Sequence, residues 1–251
     1  MAGFQITSMH LGQPTHYCPG CTHGLTERLI LESIEELGVG ERTIAIPGVG
    51  CGGLGGIYYN CDCHAPSHGR ALAVATGIKR VLPDRVVFTY QGDGDLSSIG
   101  IAETIHAANR GEILTTILAN NTNYGMTGGQ SSPTTLLGQK TSTAKRGRRA
   151  PEHGHPIHVC ELFSRLDGVH YIERVSLDGL ANIRNAKRAI KKAFQNQLDG
   201  KGFNLVEVLS TCPTNWGMTP VAAMEWVTAG LTREYPLGVY KDKDQKTEES
   251  I

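Results

Sequence analysis

One strand–helix–strand pattern between residues 85 and 130 constrains the fold most strongly. The apolar run RVVFTYQ is followed by the loop GDGDLSS and by the helical pattern IGIAETIHAANRG. A second apolar run, EILTTILAN, then leads into the loop NTNYGMTGGQ. Two strands joined by one helix run parallel, and parallel sheets are covered by helices on both faces. The pattern therefore predicts an α/β fold with a mostly parallel sheet and helices on both faces.

Similar patterns occur before and after this unit. A helix is predicted from Leu25 to Leu37, a short strand in RTIAIP (42–47), and an alanine-rich helix over His68–Val81. Residues 158–168, 169–176 and 182–198 predict helix, strand and helix, and a last core strand starts at Phe203 and ends at Cys212. Residues 131–156 predict a loop, whose basic stretch KRGRR is either a solvated face or a contact for a cofactor or partner. We expect a single domain over residues 1–240 and a frayed charged tail over 241–251.

Charge and cysteine content narrow the class of protein. The 24 lysines and arginines balance the 24 aspartates and glutamates, which argues against nucleic acid or an anionic membrane as the main partner. The N-terminal residues lack the basic and apolar regions of a secretory signal, and we expect a cytoplasmic protein with no membrane span. Seven cysteines in such a protein favour metal or cluster binding over a disulfide framework.

Polar residues follow both strands of the β-α-β unit. Asp93 comes after the first strand and Asn121 after the second, and the carboxyl ends of parallel strands lie at one edge of the sheet. Aspartate and amide oxygens suit Mg²⁺, and Gly92 and Gly94 allow a diphosphate to approach the backbone. The triplet GDG alone marks ordinary turns, but its position between a strand and a helix favours a phosphate and metal site.

The motif CPGC places Cys18 and Cys21 three residues apart, just before a helix. This spacing serves redox dithiols, zinc sites and iron-sulfur clusters alike. Cys51 and Cys212 are both predicted at the end of a strand, so they can meet the pair at one edge of the sheet. Cys61, Cys63 and Cys160 are taken as buried small hydrophobic residues, although the close pair in NCDCH is unusual.

The segment from Gly92 to Asn121 resembles the thiamine diphosphate motif, which opens with Gly-Asp-Gly and closes with Asn-Asn. Beyond that segment, CPGC, GVGCGG, HGRALAVATGIK, GDGD and NYGMTGGQSSPTT occur in the same order in the β subunits of 2-oxoacid:ferredoxin oxidoreductases. The resemblance covers residues 17–135 and returns at STCPTNWG.

This resemblance implies the cofactors and their ligands. The family's β subunit binds thiamine diphosphate, Mg²⁺ and one [4Fe-4S] cluster. By position, Asp93 and Asn121 would bind Mg²⁺ through side chains and Asn123 through its carbonyl, and Cys18, Cys21, Cys51 and Cys212 would hold the cluster. Thr127 and Gly128 would shape the loop around the diphosphate. His68, Gly69 and Arg70 either reach the diphosphate or the substrate carboxylate, or they pack the start of a helix.

The resemblance also implies an activity and partners. The reaction is the coenzyme A-dependent oxidative decarboxylation of a 2-oxoacid to acyl-CoA and CO₂, with electrons passing through the cluster to ferredoxin. A separate α subunit would supply the glutamate at the aminopyrimidine, and γ and ferredoxin-like δ subunits would complete the complex. The loop GGLGGIYY after Cys51 contains no cation, which favours 2-oxoisovalerate packed on Leu54 and Ile57 over 2-oxoglutarate or pyruvate.

Two other hypotheses remain open at this stage. A subunit of a non-redox thiamine diphosphate decarboxylase or lyase would use Asp93 and Asn121 but would have no need for four converging cysteines. A zinc-stapled interaction module would use the cysteines but would leave the metal loop after the two strands without a purpose.

Overall fold

A seven-stranded sheet organises the computed structural model, which describes residues 6–245 of the chain. Its strands are β1 (Thr43–Pro47), β2 (Asp62–Cys63), β3 (Val86–Gly92), β4 (Leu114–Asn120), β7 (Val169–Ser176), β8 (Phe203–Leu209) and β9 (Gly238–Asp242). Their order across the sheet is β2-β1-β3-β4-β8-β7-β9, and all neighbours are parallel except β7 and β9. A small antiparallel hairpin pairs β5 (Asn123–Tyr124) with β6 (Gln130–Ser131).

Helices cover both faces of this sheet. The helices are α1 (His23–Glu36), α2 (Ala71–Val81), α3 (Ile101–Asn109), α4 (Ala150–His153), α5 (Val159–Ser164), α6 (Leu180–Leu198), α7 (Pro213–Trp216), α8 (Pro220–Trp226) and α9 (Thr232–Glu234). One core lies between the sheet and α1 with α6, and a second lies between the opposite face and α2, α3 and α5. The central strands are buried on both sides, as apolar strands of parallel sheets are. The predicted α/β class with helices on both faces is confirmed.

Three predicted boundaries differ from the observed ones. Helix α2 begins at Ala71 rather than His68, because Gly69 has a φ of 74° and a turn closes from Arg70 N to Ser67 O. The stretch GDGDLSS is not an open loop, since Asp95–Ile99 forms a wide helical turn that leads into α3. Strand β8 ends at Leu209, three residues before Cys212.

The C-terminal segment contains a strand where a frayed tail from residue 241 was predicted. Lys241 and Asp242 lie in β9, which pairs with β7. Lys241 Nζ donates to the carbonyls of Ser164 and Leu166, and Asp242 forms an ion pair with Lys192. These partners satisfy the charged side chains, so the edge of the sheet extends further than the composition indicates. Residues 246–251 of the predicted tail lie outside the described residues. No helix within residues 6–245 is long and apolar enough to cross a membrane.

A buried ion pair joins the last strands of the sheet to the start of the Asn121 loop. Arg174 Nε lies 2.7 Å from Glu207 Oε2, and both side chains are 0% exposed. Arg174 also pairs with Glu161 at 2.6 Å. Glu207 Oε1 accepts a hydrogen bond of 2.7 Å from Asn120 Nδ2, at the end of β4. The Arg174–Glu207 ion pair is therefore hydrogen-bonded to Asn120, the residue before Asn121.

Arg174→Met is expected to lower the free energy of unfolding by about 3–5 kcal/mol, because Glu207 would remain buried without its cation. Urea denaturation measures the change. Arg188→Met is the matched control: Arg188 is 67% exposed and 3.5 Å from Glu173, so its loss should cost less than about 1 kcal/mol. Similar losses in the two variants would contradict this account of the Arg174 pair.

Candidate functional site

Asp93 lies at the carboxyl edge of the sheet, directly after β3. Its buried carboxylate accepts hydrogen bonds from Ser132 Oγ, at 2.6 Å, and from Thr134 Oγ1. Burial raises the pKa of Asp93 to about 6, and the hydroxyl hydrogen bonds oppose this increase. A buried carboxylate without a paired cation is a costly arrangement that a bound metal ion would relieve.

The Asn121 loop after β4 is held in an unusual conformation. Thr122 has a φ of 59°, a left-handed value that is rare for a β-branched residue. Thr122 N donates to Asn120 Oδ1 at 3.2 Å, and Thr122 O accepts from Thr135 Oγ1 at 2.6 Å. Buried Asn121 and Asn123 lie on either side of this residue. Hydrogen bonds with Asn120 and Thr135 therefore hold Thr122 in a strained conformation between two predicted metal ligands. Backbone strain of this kind is common at functional sites.

Asp95, which the sequence analysis did not single out, connects the loops of this edge. Its buried carboxylate accepts from Gly69 N at 2.9 Å, Val49 N at 3.3 Å and Gln91 Nε2 at 2.5 Å. It also contacts His68 Nδ1. Asp95 is the second aspartate of GDGD, but the sequence does not reveal that it faces inward. It fixes His68 and Gly69 relative to the end of β3.

A small cavity of about 100 Å³ lies beside these groups. Its lining includes the predicted residues His68, Gly92, Gly94, Asn121 and Thr127, together with Asp95 and Tyr124. The Tyr124 ring packs on Gly94, where a β-carbon would lie 2.1 Å from Tyr124 Cε1. A β-carbon on Gly92 would meet no atom within 4 Å. The missing side chain at Gly94 thus makes room for the Tyr124 ring, whereas the space beside Gly92 is open.

Two basic residues have structural partners away from this cavity. Arg70 Nη1 lies 2.8 Å from Glu103 Oε1 and donates to Ile99 O at 3.2 Å, which favours the helix-start role. Arg148, in the KRGRR stretch, is buried and donates to backbone carbonyls on both sides of its loop. These carbonyls belong to Ser132, Pro133, Thr135, His153, Gly154 and His155. Arg148 thereby supports the segment whose hydroxyls contact Asp93.

The four cysteines of the predicted cluster line one cavity of about 370 Å³. A β-carbon on Gly125 would lie 3.5 Å from the sulfurs of both Cys51 and Cys212, so the glycine keeps space beside these thiols. Burial raises the pKa of Cys21 to about 12 and that of Cys51 to about 11, with further increases from neighbouring cysteines. Thiolates gathered at this position need a positively charged group among them.

Hydrogen bonds between distant segments bring these cysteines together. Thr211 Oγ1 donates to Gly20 O at 2.6 Å, and Thr211 N donates to Thr22 Oγ1 at 3.0 Å, which attaches the CPGC segment to the end of β8. Asn215 Nδ2 donates to Gly125 O at 2.8 Å and lies 3.2 Å from Cys212 Sγ. Sequence reasoning missed Thr22 and Asn215, because their partners are distant in the chain.

The sulfurs of the four cysteines lie further apart than the ligands of one bound zinc ion do. Sulfurs around a tetrahedral zinc lie about 3.8 Å apart, given Zn–S bonds of about 2.3 Å. Among residues 6–245, only His170, Asp242 and Asp244 bring three candidate ligand atoms of histidine, cysteine or acidic side chains within 4.8 Å of one another. No three of the four cysteine sulfurs lie that close to one another. The cavities share the lining residues His23, Cys51, Asn121 and Met126, so they adjoin.

The chain is similar to several known proteins. Residues 55–208 match the model of the thiamine pyrophosphate enzyme C-terminal TPP-binding domain. The chain is 49% identical over 237 residues to ketoisovalerate oxidoreductase subunit VorA of Methanothermobacter marburgensis, covering 94% of this chain and 50% of the relative. The chain therefore spans about half the length of that relative. It is 37% identical to 2-oxoglutarate synthase subunit KorB of Methanocaldococcus jannaschii, covering 94% of this chain and 83% of the relative.

A solved structure has the same fold. It is a 2-oxoglutarate:ferredoxin oxidoreductase from Magnetococcus marinus with 2-oxoglutarate, coenzyme A and succinyl-CoA bound. The TM-score is 0.78 at 25% sequence identity, and the match covers 98% of this chain and 88% of the other.

Gly94→Ala is expected to lower the free energy of unfolding by about 1–3 kcal/mol, because the new methyl group would displace the Tyr124 ring. Gly92→Ala is the matched control and should change it by less than about 0.5 kcal/mol, since open space surrounds that position. Urea denaturation of both variants makes the comparison. Equal free energies of unfolding in the two variants would contradict the described contact.

Proposed function

The chain belongs to the family of thiamine pyrophosphate enzymes that includes subunits of 2-oxoacid:ferredoxin oxidoreductases, and on that premise we propose that it is the β-type subunit of such an enzyme. Its proposed cofactors are thiamine diphosphate, Mg²⁺ and one [4Fe-4S] cluster. The proposed reaction converts a 2-oxoacid and coenzyme A to acyl-CoA and CO₂, with ferredoxin as electron acceptor. The observation that carries the proposal is the contact between the two cavities, which share Cys51 and Asn121.

Residues around the smaller cavity fit a diphosphate and a metal ion. Asp93 supplies the negative charge, and Asn121 with the Asn123 carbonyl supplies neutral oxygen ligands of the kind that Mg²⁺ accepts. Gly92 leaves space beside them. The contact between Asp95 and His68 Nδ1 leaves His68 Nε2 available to a ligand in the cavity. Thiamine diphosphate, when bound, supplies the chemistry that cleaves the bond to the departing CO₂.

The larger cavity fits the electron-transfer part of the proposal. Four cysteines that line one cavity are suitable ligands for a cluster. A non-redox thiamine diphosphate lyase would give these cysteines no role. The shared wall at Cys51 would keep a cluster close to the site of decarboxylation, which short-range electron transfer requires.

The proposed enzyme needs other subunits. An α subunit would supply the glutamate at the aminopyrimidine, and γ and ferredoxin-like δ subunits would carry electrons to ferredoxin. We place this complex in the cytoplasm, without nucleic acid or membrane partners. The subunit names of the relatives agree with an assembly of several chains.

The cavity linings favour an apolar substrate side chain. Leu54 lines the larger cavity, and the linings formed by residues 6–245 include no lysine or arginine in either cavity. Ile57, also predicted as a contact, is 51% exposed and lines neither cavity. A second carboxylate would find no lysine or arginine there, whereas an isopropyl group gains from burial. We therefore propose 2-oxoisovalerate, in agreement with the name of the relative at 49% identity.

Cys212→Ser is expected to lose the cluster, because one of its four thiolate ligands would be removed. Iron and acid-labile sulfide analysis after anaerobic purification measures the loss. Cys160→Ser is the control: Cys160 is buried next to Glu207, outside the cysteine cavity, and the variant should keep about four iron atoms per chain. Equal iron contents in the two variants would remove Cys212 from the proposed site.

Binding of Mg²⁺ with thiamine diphosphate should weaken as the pH falls below about 6, because only the ionised Asp93 carboxylate binds the metal. Calorimetry on the assembled complex between pH 5 and 8 measures the affinity. Asp93→Ala should abolish metal-dependent binding at every pH, and Asn121→Ala should weaken it less, since it removes a neutral ligand. Unchanged affinity in Asp93→Ala would show that the metal binds elsewhere.

The reconstituted complex should prefer 2-oxoisovalerate over 2-oxoglutarate by at least tenfold in kcat/KM, a difference of about 1.4 kcal/mol in transition-state binding. The assay supplies coenzyme A and ferredoxin, and pyruvate is the third substrate. Leu54→Ala should reduce the preference, because the isopropyl group would lose an apolar contact. A tenfold preference for 2-oxoglutarate would contradict the apolar-site argument and would indicate a cation from a partner subunit.

A further inference from the structure

Cys61 and Cys63 form a second group of thiols, separate from the cysteine cavity. They lie at β2, the strand at one edge of the described sheet, which pairs with β1 through Asp62 and Cys63. Cys61 is partly buried against the core on the α1 side of the sheet, whereas Cys63 is exposed, so the prediction of a buried residue is wrong for Cys63. The proposed function uses neither thiol.

The two thiols flank Asp62 at the start of β2, with Cys61 at a bend and Cys63 in the strand. Two residues of fully extended chain span about 6.6 Å between Cα atoms, which is an upper limit here because of the bend. This limit lies within the range of Cα separations that a disulfide spans. The side chains of Cys61 and Cys63 lie close enough to shift each other's pKa. An internal disulfide therefore needs only a small movement at an exposed edge.

We propose that Cys61 and Cys63 form a reversible thiol–disulfide exchange site that reacts with small disulfide molecules. This site is independent of the proposed thiamine diphosphate and cluster sites.

The two thiols have different roles in the exchange. Interaction with the Cys61 side chain lowers the pKa of Cys63, whereas the same interaction, together with burial, raises the pKa of Cys61. The exposed Cys63 thiolate attacks one sulfur of the disulfide RSSR, which gives a mixed disulfide and releases one RS⁻ that takes up a proton. The Cys61 thiol then loses its proton and attacks the Cys63 sulfur, releasing the second RSH. In total, the protein dithiol loses two electrons and two protons, and RSSR becomes two RSH.

Cys63 is open to solvent, and a cavity borders Cys61 on the other side of Asp62. This surface cavity of about 560 Å³ is lined by Cys61 and by polar residues that include Ser8, Glu41, Asn60 and Asp62. Because Glu41 and Asp62 are acidic, an anionic disulfide would be repelled, and a neutral molecule is the appropriate probe. In contrast, Cys160 is fully buried and hydrogen-bonded to Glu207, so it provides a thiol that should not react.

The experiment treats the full chain anaerobically with the neutral reagent bis(2-hydroxyethyl) disulfide. Samples are quenched with acid, alkylated and digested with trypsin, which releases residues 43–70 as one peptide. Mass spectrometry with fragmentation between Cys51 and Cys61 locates each modification. The variants are Cys61→Ser and Cys63→Ser, with Cys160→Ser as the control.

The wild type and Cys160→Ser should form a Cys61–Cys63 disulfide with little mixed disulfide, and dithiothreitol should reverse it. Cys61→Ser should accumulate the mixed disulfide on Cys63, and Cys63→Ser should react at least tenfold more slowly. The proposal is overturned if the wild type accumulates mixed disulfide without the internal bond, if both thiols remain free, or if the two serine variants react at equal rates. No step of the exchange involves iron or thiamine diphosphate. The outcome of this experiment therefore does not depend on whether the proposed function is correct.

Discussion

The buried carboxylate of Asp95 holds together the edge of the sheet on which the proposed chemistry depends. It binds backbone amides from the loop after β1 and from the turn before α2, and a side chain from β3. Parallel strands bring their carboxyl ends to one edge, but they do not fix how the following loops lie relative to one another. A single carboxylate with several donors supplies that restraint, and it orients His68 at the same time.

Two aspartates only two residues apart therefore have different functions. Asp95 is surrounded by amide and imidazole donors and acts as a structural anchor. Asp93 receives hydroxyl hydrogen bonds, and burial raises its pKa, so it benefits from a metal ion. The strained Thr122 turn on the next strand has a related role, because it places two asparagines around the same edge. Glu207 supports that turn through Asn120, and Arg174 in turn compensates the charge of Glu207.

Sequence patterns predicted the parts of the molecule that depend on periodicity and on strand ends. The β-α-β unit, the helices on both faces and the meeting of the smaller cavity's residues follow from apolar runs and from the geometry of parallel sheets. The inward direction of Asp95, the left-handed Thr122 and the hydrogen bonds of Asn215 could not be predicted, because each depends on a partner far along the chain. Strand β9 was missed because its charged residues resemble a solvated tail, although Lys241 and Asp242 find specific partners in the fold.

We propose that the two adjoining cavities hold thiamine diphosphate and an iron-sulfur cluster. The most direct test is metal and cofactor analysis of the wild-type complex after anaerobic purification, covering iron, acid-labile sulfide, zinc and thiamine. We expect about four iron and four sulfide per copy of this chain from the cysteine cavity, after subtraction of any partner clusters, together with one thiamine diphosphate and no stoichiometric zinc. Zinc in place of iron, or thiamine diphosphate without iron in this chain, would contradict the proposed cofactors.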